Sequence, residues 1–167
     1  RPWPPKREWR RIQAPNFLMS SRDVTTLICA CLLAVGCGEP PLFAESEDVD
    51  PNGWSGEDAL SFQWEVSDTL QRQDVILDLR HAQDYPFSNL YLFLTYEFPN
   101  GKTRTDTVAC TLADELGRWR GSGFGDLVDQ RFLLQSQVAF PLSGSYHVKI
   151  AHGMREDPLT GLANVGL

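Results

Sequence analysis

The chain is poor in basic residues, and this shortage bears on its partners. Fifteen Lys and Arg residues stand against 22 Asp and Glu among 167 residues, which gives a formal net charge of −7. A nucleic-acid-binding protein needs a basic surface to neutralise phosphates, so the balance argues against nucleic acid as a partner. Hydrophobic residues make up 42% of the chain, which is too much for a wholly disordered protein.

Long hydrophobic runs are also missing. The most apolar stretch, Val24 to Val35, has 12 residues, whereas a membrane-spanning helix needs about 20. Its length suits the apolar core of a secretory signal peptide, which is about 7–15 residues long. Charge divides the chain at the same place: residues 1–36 carry six basic and two acidic side chains, and residues 37–167 carry nine and twenty. The first part is therefore +4 and the second −11.

The residues after this run, Leu33-Ala34-Val35-Gly36-Cys37, resemble the lipobox of bacterial lipoproteins. In that class the cysteine thiol is acylated and the peptide is cut just before the cysteine. We therefore predict a signal peptide over residues 19–36 and lipidation of Cys37, with a buried helix or an ordinary cleavable signal as the alternatives. Residues 1–18 lack an initiating Met and are rich in Trp, Pro and Arg. They are interpreted as a gene-start extension or a basic n-region and are excluded from the fold prediction.

Cysteine is scarce, with four residues in the chain. Two of them, Cys29 and Cys31, lie in the predicted signal peptide, and Cys37 would carry lipid. Cys110 then remains alone, which excludes an intramolecular disulfide framework in the mature protein. We expect Cys110 to be a small buried hydrophobic residue and not a nucleophile.

The pattern after the cysteine predicts a tether followed by one β domain. Residues 37–56 are acidic and punctuated by Pro and Gly, which is typical of a flexible tether. From residue 57 apolar and polar residues alternate with a period of two, the signature of strands. About seven or eight strands over residues 57–167 predict an antiparallel β-sandwich, and the last residues resemble a strand cut short. The clearest strand segments are 62–66, 75–79, 89–98, 103–112, 131–140 and 145–151.

Few residues are suited to catalysis. The histidines (His81, His147 and His152) lie at no spacing typical of a zinc site, so we predict no metal or cofactor and place them on the surface or in loops. A glycosidase needs two carboxylates about 5–9.5 Å apart. Four aspartates are available as such pairs, Asp78 with Asp84 and Asp126 with Asp129, although loop carboxylates more often cap turns.

A glycine-rich stretch over residues 121–126 lacks the Lys-Ser/Thr of a phosphate-binding loop. We expect its glycines to permit positive φ angles or close packing under Trp119 and Phe124.

Loop aromatics are the best candidates for binding. We favour the interpretation that these rings plug the ends of the sandwich. The alternative is that an exposed ring stacks on a sugar or anchors a protein partner. The predicted partner-binding residues are Tyr85, Phe87, Arg118, Trp119, Phe124 and Asp126.

Several ordered motifs, together with the lipobox at Cys37, resemble the gliding-motility-associated lipoprotein family GldH. The resemblance runs from Cys37 to the end of the chain, and the family normally continues a few residues further. Its motifs are DYPFSNLYLF at 84–93, FPNG at 98–101, LAD at 112–114, GRW at 117–119, GSGFGD at 121–126, GSY at 144–146 and NVGL at 164–167.

The resemblance implies a non-catalytic lipoprotein of the cell envelope that supports surface gliding and surface-protein secretion by binding other proteins. A glycan- or peptidoglycan-binding module on the same fold is the alternative. Gly38 follows the cysteine in place of the Asp that retains lipoproteins at the inner membrane, so we expect outer-membrane anchoring. Glu39 stands alone where surface export usually requires an acidic cluster, which favours a domain that faces the periplasm.

Overall fold

A computed structural model describes residues 40–123 and 125–167 of the chain. These residues form eight strands and no helix. The strands are β1 (Ser46–Asp48), β2 (Leu60–Val66), β3 (Arg72–Ala82), β4 (Asn89–Glu97), β5 (Thr103–Thr111), β6 (Leu127–Ala139), β7 (Gly144–His152) and β8 (Leu162–Gly166).

The strands build two four-stranded antiparallel sheets that enclose one core. The first sheet has the order β1-β8-β3-β6 and the second the order β2-β7-β4-β5. The buried apolar residues of both sheets form a single hydrophobic cluster, as expected where two sheets pack face to face. The predicted all-β sandwich is confirmed.

Alternation along each strand decides which side chains reach the core. In β4, Leu90, Leu92 and Leu94 are fully buried, whereas Tyr91 and Phe93 on the opposite face are each 43% exposed. Successive side chains of a strand point to opposite faces, so a sequence with period two yields one apolar and one exposed face.

The sandwich has two different ends. The turn end carries three short connections, residues 67–71, 98–102 and 140–143. The loop end carries the four longer connections, residues 49–59, 83–88, 112–126 and 153–161.

The prediction that residues 37–56 form a flexible tether is wrong for most of the part that the structure describes. Residues of β1 pair with β8, and the Glu45 amide donates to the Leu167 carbonyl at 3.0 Å. Phe43 packs on the core, and Val49 and Trp54 are buried. Pairing with β8 satisfies backbone groups that an open sheet edge would leave to water. The compact unit therefore starts at Pro41 and not at residue 57.

The prediction that the histidines lie on the surface or in loops is wrong for two of the three. His81 in β3 and His152 at the end of β7 are both buried. Each occupies the inward position of its strand, after Leu77 and Leu79 in β3 and after Ile150 in β7. The expectation for Cys110 is confirmed, because it is fully buried with a free thiol.

Candidate functional site

The loop end brings together the two segments that hold the predicted partner-binding residues. Gln83 joins them through three hydrogen bonds. Its amide donates to the Asp126 carbonyl at 2.9 Å, its side chain donates to the Gly125 carbonyl at 2.7 Å, and its own carbonyl accepts from Trp119 Nε1 at 3.2 Å. The 83–88 loop and the 112–126 segment therefore form one surface.

A cluster of rings in edge-on and tilted contact closes the core beneath this surface. The Trp119 ring meets the His81 ring edge-on at 4.5 Å, and the Tyr85 ring lies 5.6 Å from His81 and 5.7 Å from Phe87. Tyr85 is buried, and its hydroxyl donates to the Asn89 carbonyl at 3.3 Å. The view of Tyr85 as an exposed binding ring is therefore corrected, since its packing makes it a plug of the sandwich. Phe87 and Trp119 are half-buried and retain an accessible edge.

His81 is the polar member of this ring cluster. Its Nδ1 lies 2.8 Å from the Ala82 carbonyl, which can only accept, so this nitrogen carries the proton. Removal from water lowers the pKa of the imidazole, and the hydrogen bond to Ala82 offsets part of this effect. The neutral ring thus behaves as part of the core.

The charged predicted residues remain in solvent. Arg118 and Asp126 are exposed. Arg118 bonds Asp114 at 2.8 Å across a turn in which Asp114 also accepts the amides of Leu116 and Arg118 at 2.9 Å. These bonds lower the pKa of Asp114 and hold the turn in one shape. Phe124 lies outside the described residues.

The glycine-rich stretch runs directly along the edge of β6. Ser122 exchanges two backbone hydrogen bonds with Asp129, at 2.9 and 2.7 Å. A Cβ added at Gly121 or Gly123 would collide with backbone atoms of β6. Gly125 adopts a φ of 72°, a region in which glycine pays no steric penalty. The expected positive φ is confirmed at Gly125. The closest contacts of Gly121 and Gly123 are with β6 and not with the rings that we expected them to pack under.

The four aspartates considered for catalysis do not form one site. Asp78 and Asp129 lie on the outer face of the first sheet, where Arg131 and Arg80 bind them at 2.7 and 2.6 Å. The hydrogen bond from Arg80 lowers the pKa of Asp129, whereas a general acid needs a raised one.

The other two aspartates are exposed at the loop end. Within the part of the chain that the structure describes, no three His, Cys, Asp or Glu side chains are grouped to hold a metal ion.

A second exposed aromatic feature lies on the outer face of the second sheet. Tyr91 and Phe93 point to the same side of β4 and are separated by one residue. A Cβ added at Gly153 would collide with the Phe93 ring, so this ring packs over the bare glycine backbone. The sequence indicates this feature, since Tyr91 and Phe93 occupy the outward positions of the strand, where polar residues are expected. Two residues of strand place them roughly 7 Å apart.

The chain is similar to known lipoproteins over its described length. A family model described as GldH lipoprotein matches residues 42–167. The gliding motility lipoprotein GldH of Flavobacterium johnsoniae is 29% identical over 155 residues, which cover 89% of this chain and 96% of that protein. A GldH homolog from Christiangramia forsetii is 28% identical over 156 residues, 89% of this chain and 95% of that protein. Within residues 40–123 and 125–167, no helix is long and apolar enough to cross a bilayer.

Proposed function

Because the chain belongs to the GldH lipoprotein family, we propose that it is a lipid-anchored, non-catalytic protein of the cell envelope that supports a gliding-motility or surface-protein secretion assembly by binding other proteins. The observation that carries the proposal is the family match, which spans residues 42–167 and so includes nearly all of the β-sandwich. The relatives from Flavobacterium johnsoniae and Christiangramia forsetii are named for gliding motility.

We propose that an acylated Cys37 anchors the protein in the outer membrane and that the domain faces the periplasm. Residues 37–167 carry a charge of −11, and such a domain is repelled by anionic lipid. A covalent lipid is therefore needed to hold it at a membrane surface.

Labelling with a palmitate analogue tests the anchor. Cys37→Ser should abolish incorporation, whereas Cys110→Ser should leave it unchanged because Cys110 is buried. Label that persists in Cys37→Ser would refute lipidation at this residue.

The absence of catalysis is part of the proposal. A general acid and base must be free to exchange protons with a substrate. Two of the candidate carboxylates are engaged by arginine on the outer face of the first sheet. The buried thiol of Cys110 has its pKa raised to about 12 by desolvation, which suppresses the thiolate that a nucleophile needs.

The proposed protein-binding surface is the exposed part of the loop end. Binding energy at interfaces concentrates in a few aromatic and arginine side chains. Trp119 is held by its hydrogen bond to Gln83, and Arg118 by its bond to Asp114. Both side chains are therefore ordered before a partner arrives, which reduces the entropy cost of binding.

Crosslinking of the tagged, acylated protein in cells tests this surface. Arg118→Ala should reduce recovery of crosslinked envelope proteins. Arg131→Ala is the matched control, because Arg131 is also an exposed arginine bonded to an aspartate but lies on the outer face of the first sheet. Equal recovery from both variants would count against the loop end. The absence of any partner above a Cys37→Ala background would defeat the binding proposal itself.

The cellular role is tested by gene deletion scored for colony spreading. Restoration by the wild-type gene and failure of Cys37→Ala to restore it would support an anchored motility protein. Normal spreading of the deletion strain would leave an envelope role unrelated to gliding.

The second candidate function is glycan binding, favoured by the Tyr91 and Phe93 rings. Two exposed rings on one face of a strand suit stacking against sugar faces, and Phe93 is held over Gly153. Retention on immobilised peptidoglycan or polysaccharide should fall in Phe93→Ala and persist in Trp119→Ala if this face binds. Absence of retention by the wild-type protein would exclude the candidate.

A further inference from the structure

Leu70 is the most exposed large hydrophobic residue of the part of the chain that the structure describes, at 89%. It lies in the turn between β2 and β3, where its amide donates to Asp68 Oδ1 at 2.8 Å. This bond fixes the turn so that the leucine projects from the turn end. An isolated leucine held in water gains free energy only when an apolar partner covers it.

Charge distinguishes the turn end from the loop end. The three connections of the turn end contain one acidic residue, Asp68, and one basic residue, Lys102. The four connections of the loop end contain nine acidic and three basic residues. The turn-end connections therefore carry no net charge, so anionic lipid repels them less than it repels the acidic connections of the loop end.

The segment that leads to Cys37 leaves the domain at the turn end. Ser46 and Asp48 of β1 lie level with Asp78 and Arg80 of β3 across β8, so β1 runs towards the loop end. Residues 41–44 precede β1 and therefore lie on its turn-end side. Three residues lie between Cys37 and Pro41, and the four Cα–Cα steps that join the two span at most about 14 Å when the chain is fully extended. An acyl anchor on Cys37 would thus keep Pro41, where the chain enters the domain, within about that distance of the lipid headgroups.

We infer that the turn end is a membrane-contact surface, on which Leu70 enters the interfacial region of the bilayer that anchors Cys37. The inference rests on the proposed lipidation and extends it from an anchor to an orientation. The acyl chains supply the affinity, and Leu70 supplies a second contact that keeps the domain from rotating about its short linker. The loop end then points away from the bilayer.

Site-specific fluorescence on the processed, acylated protein tests this orientation. A polarity-sensitive NBD label is placed on Leu70→Cys or on Leu116→Cys, in vesicles of phosphatidylethanolamine and phosphatidylglycerol. Leu116 is the matched control, because it is 77% exposed in a turn of the loop end. The buried Cys110 does not compete for label. The label at residue 70 should show blue-shifted emission and quenching by nitroxide lipids, and the label at 116 neither.

Vesicle flotation separates failure of the anchor from failure of the orientation. A protein that does not float refutes lipid anchoring, and with it the basis of this inference. A protein that floats with both labels equally exposed to water overturns the orientation and leaves the anchor standing.

A second variant guards against an effect of the label itself. Quenching of a label at Gln71→Cys should be lost when Leu70→Asp is added and kept when Leu116→Asp is added. Loss in neither or in both would also overturn the inference.

Discussion

Replacement of Phe43 by alanine should destabilise the β-sandwich, although Phe43 precedes the first strand. Its ring lies 5.4 Å from the Trp64 ring and 6.4 Å from the Phe62 ring, the latter edge-on. Both partners belong to the core of the second sheet. Truncation therefore removes a ring that covers the core beside β1.

The expected loss is about 2 kcal/mol in the free energy of unfolding. A fully buried Phe→Ala change costs about 3–5 kcal/mol, and Phe43 is only partly buried. Aromatic pairs add about 0.5–1.5 kcal/mol beyond burial alone, and two such contacts are lost here. If the segment were a flexible tether, the same change would stay within about 0.5 kcal/mol.

Urea unfolding followed by tryptophan fluorescence measures the difference, in a Cys37→Ser background that cannot be acylated there. Leu42→Ala is the control, since the neighbouring Leu42 is an exposed side chain. An unfolding free energy that changes equally and by less than about 0.5 kcal/mol in both variants would refute the reasoning. Residues 41–45 would then belong to a flexible tether and not to the folded domain.

Three further predictions concern buried groups and close approach. The free energy of unfolding should fall as the pH drops below about 6.5, because the pKa of His81 is lowered in the folded state and the unfolded chain therefore binds the proton first. Urea titrations at pH 7 and pH 5 check this. An equal pH dependence of the unfolding free energy in His81→Phe would contradict it. Gly123→Ala should lower the free energy of unfolding by about 2 kcal/mol, since the added Cβ would collide with the Leu127 carbonyl. Gly56→Ala is the control, because a Cβ there meets only ordinary contacts. Thermal unfolding compares the two variants, and equal stability would count against the close approach at Gly123. Cys110 should react with Ellman's reagent only after unfolding, because its thiol is fully buried and has a pKa of about 12. Rapid reaction of Cys110 in the native protein would disprove its burial.

Period-two alternation was sufficient to predict the long strands. Segments with several consecutive inward residues, such as 89–98, correspond to β4 within one residue. The strand pattern depends on side chains of the strand itself, so it can be read locally. The buried histidines were predictable by the same rule, because His81 extends the alternation of Leu77 and Leu79. Polarity alone had assigned them to the surface.

The first strand and the loop-end site could not be predicted in this way. β1 has three residues, and its position depends on pairing with β8 more than a hundred residues later. No local pattern encodes such a contact. Tyr85 and Trp119 belong to different loops, and their packing on His81 follows from the order of the strands beneath them.

The folded N-terminal segment changes how a partner would meet this domain. A tether of 20 residues would let the domain wander by roughly 25 Å, since a flexible chain spans about 5–6 Å times the square root of its length. With β1 paired, only three residues lie between Cys37 and the folded unit, which begins at Pro41. A nine-residue strand such as β4 spans about 30 Å. If Leu70 contacts the bilayer as proposed, the loop end therefore lies about that distance from the lipid. Arg118 and Trp119 would then lie at a nearly fixed distance from the membrane. A partner within a larger envelope assembly could bind them at that distance, whereas a loosely tethered domain would not hold them there.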